Sequence, residues 1–198
     1  MLGARRHRGS RADASYAVIW ANLRKRYPDL RTLLVAGASR RDDPTATALA
    51  LSDAIVRFDN ATVLVMVLDS AMQDRREPES ASPSVTVIGA LSPDQVRIAL
   101  SNQRDTVDVS IVVAPAPQTA VDCIAVAGAA DAAILVATAG RTPSAEATLA
   151  AELLRQTGLP PAAAVLLGAP ARRSPQPAPA RPRPSAAQGQ AIAELRRA

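Results

Sequence analysis

Residues 62–68, TVLVMVL, form an unbroken apolar run between polar segments, and this run constrains the fold more than any other feature of the chain. A strand that is apolar at every position is buried on both faces, as in a parallel sheet covered by helices on either side. Residues 30–37, 85–88, 107–113, 132–138 and 163–167 read as further strands. Helical patterns lie between them. Residues 14–26 carry Ile19, Trp20 and Leu23 as an apolar stripe, and residues 44–58 place Leu49, Ile55 and Val56 inward. Ser92-Pro93-Asp94-Gln95 supplies an N-cap, a first-turn proline and a capping-box glutamine for a helix to about Asn102. Asp122 is expected to cap a helix running to Ala130, and Thr142-Pro143 opens another that ends at Gly158. Alternation at these lengths predicts an α/β fold: a doubly wound, mostly parallel sheet with helices on both faces.

The chain of 198 residues is 48% hydrophobic but only 2% aromatic, so its core is built from Ala, Val, Leu and Ile. One domain is expected over residues 14–168. A basic N-terminus, residues 1–13, and a Pro/Arg-rich tail, residues 169–198, are expected to be disordered, with a short helix near 186–198. Residues 73–84 read as a polar loop. Net charge is +5, with arginines concentrated at both ends. Such ends can touch nucleic acid or an anionic surface, but without stacking aromatics they read first as solvated tails. One cysteine and one histidine give no support to a disulfide, a metal site or a Cys/His nucleophile, and Cys123 reads as a small buried residue. No apolar run is long enough for a signal peptide or a membrane span, so a cytoplasmic chain is expected.

The first strand runs into residues 33–47, LLVAGASRRDDPTAT, an arrangement of strand, loop and Thr-started helix that aims main-chain N–H groups and a helix dipole at an anion. Gly37, Ser39, Arg40, Arg41 and Thr45 are its candidate ligands. Proline stands at 44, where a phosphate-gripping lysine belongs, and the sole lysine, Lys25, lies upstream. Pro44 also removes a donor. Asp42 and Asp43 add negative charge, and each like-charge contact at about 4 Å costs on the order of 1 kcal/mol in water and about 4 in a partly screened site. The simpler reading of the two carboxylates is a solvated turn.

Residues 14–168 resemble the cytoplasmic domain of bacterial tyrosine autokinases of capsular and exopolysaccharide synthesis, relatives of the MinD/ParA-like deviant Walker ATPases. The resemblance is carried by SYAVIWANLRKRYPDLRTLLVAGAS and by VDVSIVVAPAPQTAVDCIAVAGAADAAILVATAGRT. It implies a P-loop NTPase-like fold, and it implies where chemistry should sit. Pro44 takes the lysine's place, with Thr45 matching the magnesium-binding hydroxyl. Val67-Leu68-Asp69 takes the place of Asp-x-Asp, leaving Asp69 alone. Val113-Ala114-Pro115-Ala116 takes the place of Asp-Thr-Pro-Pro, and Leu167-Gly168 that of Leu-Asn near the base. The family's Glu-x-x-Arg-x-x-Arg assembly pattern appears as Ala14, Ala17 and Trp20, and the C-terminal tyrosine cluster is replaced by a tail without tyrosine.

Together these replacements imply a retained fold without catalysis, no catalytic residue, no bound metal and no cofactor. The implied role is an interaction or regulatory subunit of polysaccharide synthesis and export, partnered by a membrane chain-length or co-polymerase protein or by an active kinase paralogue. Membrane association would be peripheral, through that partner or the basic tails. The alternative is an active ATPase or kinase, with ATP and magnesium, in which Arg40 or Arg41 replaces the lysine. A third reading, a ParA-like nucleic-acid-binding protein, rests only on the basic tails. Trp20 is the candidate partner anchor, with packing against the sheet as the alternative; Asp69 and Asp122 have simpler readings as loop and cap residues.

Overall fold

The computed structural model describes residues 10–71, 82–103 and 105–168. The six strands are β1 (Thr32–Gly37), β2 (Val63–Leu68), β3 (Val85–Leu91), β4 (Val109–Ala114), β5 (Ala132–Thr138) and β6 (Pro161–Leu167). They pair in parallel throughout, in the order β3-β2-β4-β1-β5-β6. The helices are α1 (Ser10–Arg26), α2 (Pro44–Asp59), α3 (Pro93–Asn102), α4 (Val121–Ala127) and α5 (Ser144–Gln156).

Side chains alternate across the sheet because successive Cβ atoms of a strand point to opposite faces. Leu33 and Val35 of β1 and Val63, Val65 and Val67 of β2 pack with Trp20, Leu23, Leu51 and Ile55 of α1 and α2. Leu34 and Ala36, with Leu64, Met66 and Leu68, pack on the other side with Val96, Cys123, Val126, Ala150 and Leu154 from α3, α4 and α5. The sheet is therefore doubly wound, and β1, β2 and β4 bury nearly every residue as the apolar runs require.

Several boundaries differ from the sequence expectations for local reasons. α1 begins at Ser10, so residues 10–13 are helical rather than disordered. β3 continues past Ile88 to Leu91, because a bulge absorbs Gly89 and Ala90: Met66 pairs with Ile88 and Leu68 with Leu91. In α2 the deeply buried stripe is Thr47, Ala48, Leu51, Ala54 and Ile55, with Leu49 and Val56 only half-buried. α4 is capped at Ala120 without a side-chain hydrogen bond, and Asp122 sits inside its first turn, where it faces the positive end of the dipole. The capping box of α3 is present as read: Ser92 accepts the Gln95 N–H and the Gln95 side chain accepts the Ser92 N–H. The expected terminal helix at 186–198 and tail 169–198 lie outside the described residues, as do residues 1–9 and most of the expected loop 73–84.

Candidate functional site

In an open α/β sheet, ligands bind beyond the carboxyl ends of the strands where the connections diverge. Here that place is the end of β1, whose neighbours are β4 and β5. The loop leaving β1 folds back tightly. A Cβ on Gly37 would stand 3.1 Å from the Ser39 carbonyl and 3.5 Å from the Asp42 Cβ, a tight approach that glycine relieves. The Asp42 N–H closes a turn onto the Ser39 carbonyl at 3.1 Å, and the Arg41 N–H reaches the Ser39 hydroxyl at 3.2 Å.

The two carboxylates do not form a solvated turn. Asp42 is only 7% exposed. Its Oδ2 accepts the Ser39 N–H at 2.9 Å, and its Oδ1 accepts the Thr142 hydroxyl at 2.7 Å from the turn between β5 and α5. Asp43 is the N-cap of α2 and accepts the Thr45 N–H at 3.0 Å. A buried carboxylate persists only where hydrogen bonds replace its hydration, and for Asp42 one loop amide, that of Ser39, and the Thr142 hydroxyl supply them. Thr45 is half-buried in the first turn of α2.

Ser39, Arg40, Asp42, Asp43 and Pro44 share a small cavity with Ser70, Ala71, Pro115, Ala116 and Thr119, of about 100 Å³. The buried Ser70 hydroxyl has no hydrogen-bond partner among the described residues. Both candidate arginines are exposed, and of the two Arg40 lines this space and Arg41 does not. Asp69 is exposed at the start of a short 3-10 turn, Asp69–Ala71, outside the cavity lining. Pockets for drug-sized ligands run from about 300 to 1,000 Å³, several-fold more than this cavity. Among the described residues no cluster of His, Cys, Asp or Glu is arranged to hold a metal ion. A larger concavity, about 1080 Å³, lies at the opposite edge of the sheet, between α1 and the segments entering β1, β2 and β4, away from the strand ends where this fold class places ligands.

Trp20 is not a surface anchor. Its ring is 2% exposed and belongs to the core against α2 and the sheet. Its periodicity partners were visible in the sequence, but the buried indole needs a polar partner, and that partner, Asp59, comes from the end of α2. Of the positions matching the family's assembly pattern, Ala14 is exposed and Ala17 half-buried, so the three do not share one exposed face. The features that sequence reasoning missed are the inward turn of Asp42 and its link to Thr142, which had been assigned only to the opening of α5.

The fold is that of a doubly wound, all-parallel α/β domain. Solved structures of the same fold include the kinase domain of the Escherichia coli tyrosine kinase ETK, at 17% identity and a TM-score of 0.65 over 89% of this chain and 88% of that one. The BceF tyrosine kinase domain matches at 15% identity and a TM-score of 0.60, over 78% of this chain and 76% of its own. A ParA family ATPase from Chlorobium tepidum matches at 16% identity and a TM-score of 0.52, over 69% and 72%. No protein-family model and no curated protein matches the sequence. These likenesses establish the fold that the sequence resemblance implied.

Proposed function

We propose that this chain is a non-catalytic, tyrosine-autokinase-like domain that acts as an interaction or regulatory subunit in bacterial capsular or exopolysaccharide synthesis and export. One observation carries the reading: Asp42 occupies the phosphate loop with its own carboxylate, hydrogen-bonded to the Ser39 N–H. Pro44 in the lysine's place and Val67 and Val113 in the places of two acids agree with it. The polysaccharide setting comes from the sequence resemblance, and the likeness to tyrosine kinase domains supports it at the level of fold. The partner is a membrane chain-length or co-polymerase protein, or an active kinase paralogue, and the domain works at the cytoplasmic face through that partner. No described helix is long and apolar enough to cross a membrane.

The test is a complementation series in the host. Deleting the gene should lower surface polysaccharide, and a Thr45→Ala copy should restore it as fully as the unaltered gene, since nothing depends on the hydroxyl that relatives give to magnesium. Polysaccharide unchanged by the deletion would refute the role. Failure of a stably folded Thr45→Ala chain to complement would instead favour the second reading, an active enzyme using Arg40, which alone of the two candidate arginines lines the cavity at the loop.

A further inference from the structure

We propose that Asp42 is the ligand of its own loop: a tethered carboxylate that stands where a phosphate would bind and latches the loop to the turn between β5 and α5. The inference deepens the non-catalytic reading and rests on it in treating the loop as a phosphate-type nest.

The geometry assigns each oxygen of Asp42 to a different element. Oδ2 takes the Ser39 N–H within the loop, and Oδ1 takes the hydroxyl of Thr142, 100 residues further along the chain. Thr142 cannot turn that hydroxyl elsewhere without loss, because its oxygen already accepts the Thr138 N–H at 2.8 Å. The single hydroxyl hydrogen is thereby directed at Asp42. A continuous chain of hydrogen bonds thus runs from the β1 loop through Asp42 and Thr142 into the end of β5. Two further bonds fasten the same corner: the Ala38 N–H donates to the Val136 carbonyl at 2.8 Å, and the Gln118 amide donates to the Ala38 carbonyl at 2.7 Å. Asp43 meanwhile satisfies the first turn of α2.

A diffusible phosphate organises such a loop only while bound, so the loop reports nucleotide. A carboxylate on the same chain is present at fixed, high effective concentration and never leaves. The loop and the β5–α5 turn are therefore held together permanently, and the carboxyl edge of the sheet presents one surface to a partner at every nucleotide concentration. In this domain the nucleotide switch has been replaced by a hydrogen-bonded one-state latch.

Removing the carboxylate should turn the latch back into an anion site, which a merely structural aspartate would not do. The experiment is thermal melting of the full chain, its Asp42→Ala variant and an Asp131→Ala control, titrated with inorganic phosphate against chloride at matched ionic strength. Asp131 likewise accepts two hydrogen bonds, here from the main-chain N–H groups of Arg31 and Thr32, but at the opposite edge of the sheet. Asp42→Ala should melt roughly 5 °C lower, the shift expected for losing charge-assisted hydrogen bonds in a domain of this size. Phosphate should recover most of that loss saturably, while leaving the unaltered chain and Asp131→Ala no better than chloride does. If Asp42→Ala does not fold in chloride, it should fold on dilution from urea into phosphate. Unchanged melting of Asp42→Ala, no recovery by phosphate, folding in neither salt, or equal recovery of Asp131→Ala would each overturn the proposal. A second arm uses Thr142→Val, which should lower melting more in the unaltered chain than in the Asp42→Ala background, where only the bond from the Thr138 N–H is left to lose; equal losses in the two backgrounds would also overturn it. The latch and the non-catalytic reading fail separately, since the unaltered chain without its lysine can refuse ATP whether or not Asp42 fills the loop.

Discussion

The indole Nε1 of Trp20 donates to the Asp59 carboxylate at 2.8 Å, joining α1 to the last turn of α2 across 39 residues. The Arg24 guanidinium lies 5.7 Å from the centre of the same ring and 3.9 Å from the same carboxylate. That ion pair is substantially exposed and contributes little by itself; the stabilisation comes from burying the ring with its N–H satisfied.

Trp20→Ala should therefore destabilise the domain by roughly 3–5 kcal/mol. Trp20→Phe, which keeps much of the ring area and loses the hydrogen bond, should cost less, with about 1 kcal/mol from the bond itself. Urea denaturation followed by far-ultraviolet circular dichroism measures both. Near-native stability of Trp20→Ala would return the residue to the surface and restore it as a partner anchor.

Burial pushes the Cys123 thiol up to about 12, from an ordinary value of 9.0. The unfolded chain loses this proton above pH 9 while the folded chain keeps it, so the unfolded state binds fewer protons and stability falls as pH rises from about 9 towards 12. Replacing Cys123 with Ala should flatten that part of the alkaline limb, by up to about 1.4 kcal/mol per pH unit. At neutral pH the native thiol should resist iodoacetamide and become reactive only in denaturant. An unchanged alkaline limb in the variant, together with rapid native alkylation, would show that the thiol is accessible.

The non-catalytic reading predicts no self-phosphorylation on tyrosine. Tyr16 and Tyr27 both pack against the α1 side of the core. Incubation of the purified chain with ATP and magnesium should leave no phosphotyrosine detectable by peptide mass spectrometry. Phosphate on either tyrosine that disappears in Thr45→Ala would contradict the non-catalytic reading.

What the sequence disclosed follows the range of the interactions involved. The capping box at Ser92 and Gln95 was legible because all its partners lie within one turn. The strand at 62–68 was legible because burial on both faces leaves no polar position, and β5 was read over its full length, Ala132–Thr138, from a similar apolar run. The end of β3 was not, since Gly89 inside a strand looks like a terminus until β2 is placed beside it. Asp42 looked like half of a solvated turn because its two partners are Ser39, reached only when the loop folds back on Gly37, and Thr142, 100 residues away. Trp20 stayed ambiguous for a similar reason: an apolar stripe places the ring on a face, but Asp59 decides that the face is inward.

The central claim is that a chain with this fold has given up its nucleotide, and isothermal titration of the purified protein with ATP and magnesium tests it most directly. The loop lacks its lysine and one N–H, Asp42 and Asp43 hold amides that phosphates would need, and the remaining cavity is about 100 Å³. The expected result is no saturable heat, with any dissociation constant weaker than about 1 mM, a binding free energy smaller than about 4 kcal/mol. A micromolar dissociation constant would contradict the account and assign Arg40 to the phosphates.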